Sequence, residues 1–353
     1  MSHTKKSWSV TPQGEQVYLH TISNDSGFQA GIATYGATLV ELKVPVSNGQ
    51  TVDAVLGFDD LTGYLNDPHY IGATVGRVAG RISHGSFELD GEKYFLDKNE
   101  GDNQLHGGKF GFNSRIWTEC QAENPEPHTI SLCYESPDGE GGYPGNLQVT
   151  VTYSLIENGL RIAYRAVTGK PTPINMTAHP YFNLNGDGKD TGEHEVKIFS
   201  DKTLFFDDEI LPNGETLDVS GTEADYTDFC PINGPATDSQ IETAPLKHDR
   251  FYILNLSEME MPVAAVVRSD ASGMELEIAT TQSGLQFYSA DYIGAGTKGK
   301  LGCEYGPRSG FCLEPEGYPD AVNRPEFPSV ILRPGEVYNH VTEYRFREFN
   351  KRD

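Results

Sequence analysis

"LQVTVTYSLIE" (147–157) and "LRIAYRAV" (160–167) stand on either side of Asn158-Gly159, and these two runs decide the class of fold. Leu147, Val149, Val151, Tyr153 and Leu155 recur at every second position, as do Leu160, Ile162, Tyr164 and Ala166. Successive side chains of a strand point to opposite faces, so each run reads as a strand with one side turned to a core. Asn-Gly supplies the positive φ angles that tight hairpin turns demand, so the two strands pair antiparallel.

The same punctuation recurs along the chain. Asn48-Gly49 divides "ELKVPVS" from "QTVDAVLGF", Asp90-Gly91 divides "SFEL" from "EKYFL", and Ser272-Gly273 divides "VAAVVRSDA" from "MELEIATT". With 38 Gly and 21 Pro in the chain, helical periodicity is rarely sustained. Only "DDLTGYLND" (59–67) and the acidic stretch near 222–228 have room for a helical turn. The fold class is therefore all-β, antiparallel, with few short helices: a large sandwich or a barrel. No Pro-, Ser- or Gly-rich linker splits the sequence, which reads as a single domain over 1–353. The loop-rich region from Asn185 to Asp249 is expected to leave the body of the sheet.

Composition narrows the function. Hydrophobic residues make up 37% and charged residues 22% of the 353, as in a globular protein. No apolar run approaches the ~20 residues of a spanning helix, and no apolar segment follows the two lysines near the start, so a cytoplasmic home without membrane contact is the default expectation. A formal charge of −24 argues against nucleic acid as partner, because phosphate backbones reward basic surfaces. The five cysteines are scattered without C-x-x-C spacing and read as reduced thiols, neither a disulfide framework nor a zinc site.

Several stretches carry candidate chemistry. In "NMTAHPYFNL" (175–184), Met176, Ala178, Pro180, Phe182 and Leu184 share one face of an extended strand. His179 lies on the other with Asn175, Thr177, Tyr181 and Asn183. In "GDNQLHGGKFGFN" (101–113), the two glycines after His106 let the backbone bend and leave the imidazole uncrowded. "GLQFYSAD" (284–291) sets Gln286 and Tyr288 on one face, an amide and a phenol suited to sugar hydroxyls and ring C–H groups. In "GFCLEPEGYPDAVNRPEFPS" (310–329), Glu314 falls on one side with Cys312 and Glu316. Pro315 removes a ladder donor, so pairing is expected to end or bulge there. "VGRVAGRIS" (75–83) offers Arg77 and Arg81, either of which could clamp a ligand hydroxyl or a carboxylate. Phosphate-loop, dinucleotide, zinc-protease and serine-elbow motifs are absent. What remains is an acid–base and hydroxyl-binding set of side chains.

Six segments in order, "GRVAGRIS", "NQLHGG", "NMTAHPYFNL", "HDRFYILN", "GLQFYSAD" and "FCLEPEGYPDAVNRPEFPSVILRPGEVY", resemble the aldose 1-epimerase (galactose mutarotase) family. The resemblance implies a large antiparallel β-sandwich, the mutarotase supersandwich, with an open sugar groove. It implies Glu314 as general base and His179 as general acid, with Arg81, His106, Asp249 and Gln286 binding the sugar. The substrate would be a monosaccharide such as galactose or glucose, with no cofactor, no metal, and a monomer or homodimer as the working form. Ring opening by this pair requires Glu314 ionised and His179 protonated at the start. Some positions depart from the family's usual pattern: Gly80 stands where asparagine is common, Ala178 and Pro180 flank His179, Arg250 replaces histidine, and Pro315-Glu316 follow Glu314 where threonine-glutamine is frequent. Substrate choice is the property these departures touch. Two other readings compete: a sugar-binding module without turnover, and a glycoside hydrolase or lyase, which usually needs two carboxylates flanking the bond.

Overall fold

Strands Leu147–Ile156 and Gly159–Thr168 pair antiparallel with Leu155 opposite Leu160, and their inward positions are buried in alternation. The computed structural model describes residues 2–47, 49–121, 126–234, 248–255 and 261–349. The turn itself differs from expectation. Its central residues are Glu157 and Asn158, and Gly159 already belongs to the second strand. Gly159 has no positive φ; a Cβ there would lie 1.9 Å from the Tyr344 carbonyl oxygen, so glycine lets the next strand approach. At Asp90-Gly91, by contrast, both φ angles are positive (52° and 84°), as the sequence predicts. Asn48 lies outside the described residues.

These two strands sit within a nine-stranded antiparallel sheet. Its order runs Thr118–Cys120, Thr129–Ser136, Leu147–Ile156, Gly159–Thr168, Tyr338–Glu348, Met274–Thr280, Val263–Ser269, Glu195–Ile198, Cys230–Pro231. The last long strand of the chain is thus inserted at the centre of the sheet. One five-stranded sheet is a meander of the first strands, Ser2–Val10 to Thr51–Asp53. The other runs Pro212–Asp218, Lys202–Phe206, Asp249–Ile253, Gly284–Tyr288, Cys312–Glu316. The main core joins all three, with Ile32 and Leu39, Val151 and Ile162, and Leu285, Phe287 and Leu313 in one apolar cluster. Each such side chain contributes about 1.5–3 kcal/mol on burial. On the outer face of the large sheet, Glu343 bridges Arg161 and Arg345, and Glu275 bridges Arg268 and Arg347.

The short helix forms where expected, Leu61–Leu65, with the Asp60 carboxylate accepting from Thr62 N (2.8 Å) and Gly63 N (3.4 Å). Residues 222–228 form turns instead. Asp225 accepts from the backbone of Gly221 and Thr227, and Thr222 Oγ1 donates to Val219 O, local bonds that compete with a helix. The Asn185–Asp249 region does not leave the body, because it supplies strands to both the nine-stranded sheet and the second five-stranded sheet; residues 235–247 lie outside the described residues. Pro315 does not end its strand either. Pairing with Gly284–Tyr288 continues to Gly284 opposite Glu316, and the strand is at the sheet edge, where a missing N–H is tolerated.

The expectation of five reduced cysteines is corrected. Cys120 and Cys133 form a disulfide between adjacent strands with a Cα–Cα distance of 5.9 Å, while Cys230, Cys303 and Cys312 are free. Strand pairing makes this neighbour relation, and a separation of 13 residues carries no motif that announces it. Among the described residues, no helix is long and apolar enough to cross a membrane.

Candidate active site

Register in the second five-stranded sheet builds one wall of a groove. Glu314 lies directly opposite Gln286, and Asp249 opposite Tyr288 on the next strand over. Gln286 Nε2 donates to Asp249 Oδ1, which fixes the amide and the carboxylate as a unit. Glu314 is 2% exposed, and its Oε2 has no hydrogen-bond partner among the described residues. Burial, then the neighbouring carboxyls of Glu316 and Asp249, push the Glu314 carboxyl well above its ordinary range.

His179 arrives from another element. The two-residue strand Thr177–Ala178 pairs with Thr74–Val75, and both backbone groups of His179 are held, its N–H by Ala73 O and its carbonyl by Gly72 N. Its Nε2 stands 3.5 Å from Glu314 Oε1, and its Nδ1 lies 3.4 Å from Cys312 Sγ. The ring stacks on Tyr181 at 5.0 Å and meets His106 edge-on at 5.4 Å. Burial lowers its pKa to about 3. Both shifts favour the proton on the Glu314 carboxyl over the His179 imidazole. That reverses the charge states expected from the sequence, because neither charged form is solvated there.

The remaining groups line the same groove of about 850 Å³, open mouth included. His106 takes φ +52°, accepts from Gly80 N through Nδ1 at 3.2 Å, and so presents Nε2 to the groove. The fold needs glycine after it, since a Cβ on Gly107 would lie 2.0 Å from Gly76 O. Arg81 reaches the groove with its guanidinium gripped by Glu100 in two bonds, 2.5 and 2.8 Å. Tyr70, Tyr288 and Tyr292 supply aromatic walls. All six candidates, Glu314, His179, Arg81, His106, Asp249 and Gln286, meet here. The donor atoms of His106, His179 and Glu314 lie within 4.8 Å of one another, a spacing that would admit a cation. His3, His20 and Glu119 form a similar triple elsewhere, engaged in a His3–His20 contact of 3.0 Å and a Lys5–Glu119 pair of 2.9 Å.

A family model described as aldose 1-epimerase matches residues 18–345 of the 353. The chain belongs to the aldose 1-epimerase family. It is 42% identical over 316 residues to the galactose mutarotase of Homo sapiens, covering 89% of this chain and 90% of that one. It is 36% identical over 341 residues to the aldose 1-epimerase of Escherichia coli K12, covering 96% and 97%. Among solved structures, the aldose epimerase homologue from C. elegans superposes with a TM-score of 0.85 at 30% identity, covering 94% of this chain and 98% of that one.

Within this aldose 1-epimerase fold, the two sequence-flagged arginines separate. Arg77 is not a ligand clamp. It is 2% exposed, and its five N–H groups reach Ser136 Oγ and O, Pro137 O, Pro144 O and Thr172 Oγ1. The polar face of 175–184 is likewise buried rather than wetted. Asn175 exchanges two bonds with the backbone of Gly317 (2.7 and 3.1 Å), and Asn183 donates to Lys189 O and Ser309 O. Only Thr177 and Ala178 of that stretch pair as a regular strand. The "PDAVN" run braces the groove from behind: Asp320 accepts from Ser83 N and Asn323 Nδ2, and Asp320 N donates to Arg81 O. Sequence reasoning missed Glu100, Tyr70 and the Cys312–His179 contact. Glu100 shows no motif, and Cys312 gave only the hint of sharing a face with Glu314.

Proposed function

We propose that this chain interconverts the α and β anomers of a free aldose by acid–base ring opening and reclosure. The observation that carries the reading is the Glu314–His179 pair, 3.5 Å apart, in a groove also lined by Arg81, His106, Asp249 and Gln286. In the opening step, the Glu314 carboxylate takes the proton of the C1 hydroxyl, and the His179 imidazolium gives one to the ring oxygen as the C1–O5 bond breaks. The open aldehyde rotates about C1–C2. On reclosure the C5 hydroxyl attacks C1, His179 recovers the proton of that hydroxyl, and Glu314 returns its own to O1. The sum is no net proton change, and each positioned transfer contributes about 10²–10⁴-fold.

Cys312 suits this exchange. Cys312 Sγ lies 3.4 Å from Nδ1, which leaves Nε2 facing Glu314 as the nitrogen that gains and loses the proton. Burial favours that proton on Glu314, and hydroxyls of a bound sugar favour its place on His179. Aromatic walls and the amide–carboxylate unit fit a polyol ring with no need of a cofactor.

A sugar-binding module without turnover would need the hydroxyl-binding groups but not the paired carboxyl and imidazole. Polarimetry of freshly dissolved α-D-galactose and α-D-glucose separates the readings. Catalysed decay of rotation supports the epimerase; binding of the sugars with buffer-rate decay for every common aldose overturns it.

A further inference from the structure

Glu316 stands in the same groove with no assigned task. It is 2% exposed, and its Oε2, like that of Glu314, has no hydrogen-bond partner among the described residues. A buried carboxyl with an idle oxygen is costly unless something fills its lone pairs. Its position is firmly held. The strand pairs Glu316 with Gly284, and the next residue, Gly317, is locked by Asn175. Two residues along a strand return to the same face about 6.6 Å further on. Glu316 therefore faces the groove beside Glu314 but well away from it, a displacement comparable to a pyranose ring.

Gly80 and Pro319 border that end. Gly80 takes φ +72°, and a Cβ there would come within 3.1 Å of Pro319 Cβ and 3.6 Å of Glu316 Oε1. The Glu316 carboxyl thus borders space that a side chain at position 80 would otherwise enter. Burial, then the Asp249 carboxyl, push the Glu316 carboxyl up to about 8 against the pull of Arg81.

We propose that Glu316 is a substrate-binding residue whose carboxyl takes one ring hydroxyl of the aldose at the Gly80–Pro319 end of the groove, restricting that end to a hydroxyl-bearing carbon. The proposal rests on the groove being an aldose site. It makes an aldose that lacks the hydroxyl at that carbon a poor ligand, because the buried carboxyl then loses its partner. It also gives Glu316 a second influence, since its charge raises the Glu314 carboxyl.

The test compares wild type, Glu316→Ala and the isosteric Glu316→Gln on a parent aldose and its monodeoxy analogues. For one analogue, wild-type kcat/KM falls about tenfold or more relative to the parent, and Glu316→Ala erases that difference through KM. Glu316→Gln moves the alkaline limb of the pH profile to lower pH. Equal losses on every sugar, or an unmoved profile with unchanged KM, would overturn the proposal. Should wild type turn over no aldose, the epimerase reading fails. Saturation-transfer NMR with D-galactose then reads the contact alone. Galactose signal lost in Glu316→Ala supports it, and signal equal in both proteins, or absent from both, overturns it.

Discussion

His179 Nε2 stands 3.5 Å from Glu314 Oε1, and the two side chains come from different elements of the fold. The carboxyl rides on the edge strand Cys312–Glu316, while the imidazole hangs from the two-residue strand Thr177–Ala178. Replacing either group should therefore remove chemistry without removing the fold. Glu314→Gln and His179→Asn are each expected to lower kcat by about 10²–10⁴-fold, with unchanged far-UV circular dichroism. Near-full activity in either variant would contradict the acid–base roles of the pair.

The charge states set the pH profile. One proton shared by the pair is the active state, whichever partner holds it. Adding a second proton means charging His179, which burial holds down to about 3. Removing the last one means ionising Glu314, which burial and its carboxyl neighbours resist. The profile of kcat/KM should stay flat through pH 6.5 and fall only well below it. An acid limb near 6.5, that of an ordinary histidine, would show that His179 titrates as if solvated.

Stability should carry the opposite signature of the same carboxyls. Glu314 and Glu316 have folded-state pKa values raised above the unfolded ones, mainly by burial. Between those values the folded chain holds protons that the unfolded chain has released, so stability is fully present below the ordinary carboxylate pKa and declines as pH rises through the raised ones. Glu314→Gln removes one such group. Its Tm should match wild type near pH 4 and exceed it near pH 8, as differential scanning fluorimetry would read. A gain that is constant across pH would refute the burial argument.

Arg77 and Arg81 should fail in different ways. Lysine at 77 offers three donors to a site that satisfies five, so Arg77→Lys should cost about 2–4 kcal/mol of stability. Arg81→Ala should leave Tm nearly unchanged and raise KM by about tenfold or more. Denaturant titration and steady-state kinetics on both variants check the contrast.

The sequence made the strands legible where alternation and turn chemistry agreed, as in 147–167 and at Asp90-Gly91. It misplaced the turn at Asn158-Gly159 because glycine there answers to the strand carrying Tyr344, a contact far away in the chain. The groove was legible because a family resemblance tied six segments together. Local spacing could not separate Arg77 from Arg81, since the acceptors of Arg77 lie 59 to 95 residues away. Nor could it show that the polar face of 175–184 is buried, because burial there is made by Gly317, Ser309 and other distant backbone. The Cys120–Cys133 bond was hidden for the same reason, being a consequence of strand pairing.

The central claim is that the Glu314–His179 pair exchanges the anomers of a free aldose. Proton exchange spectroscopy at anomeric equilibrium tests it most directly, using D-galactose and D-glucose with catalytic amounts of protein. The account predicts cross-peaks between the α and β anomeric protons with the wild type and none with Glu314→Gln. Absence of cross-peaks with the wild type for every common aldose, or their persistence in Glu314→Gln, would contradict it.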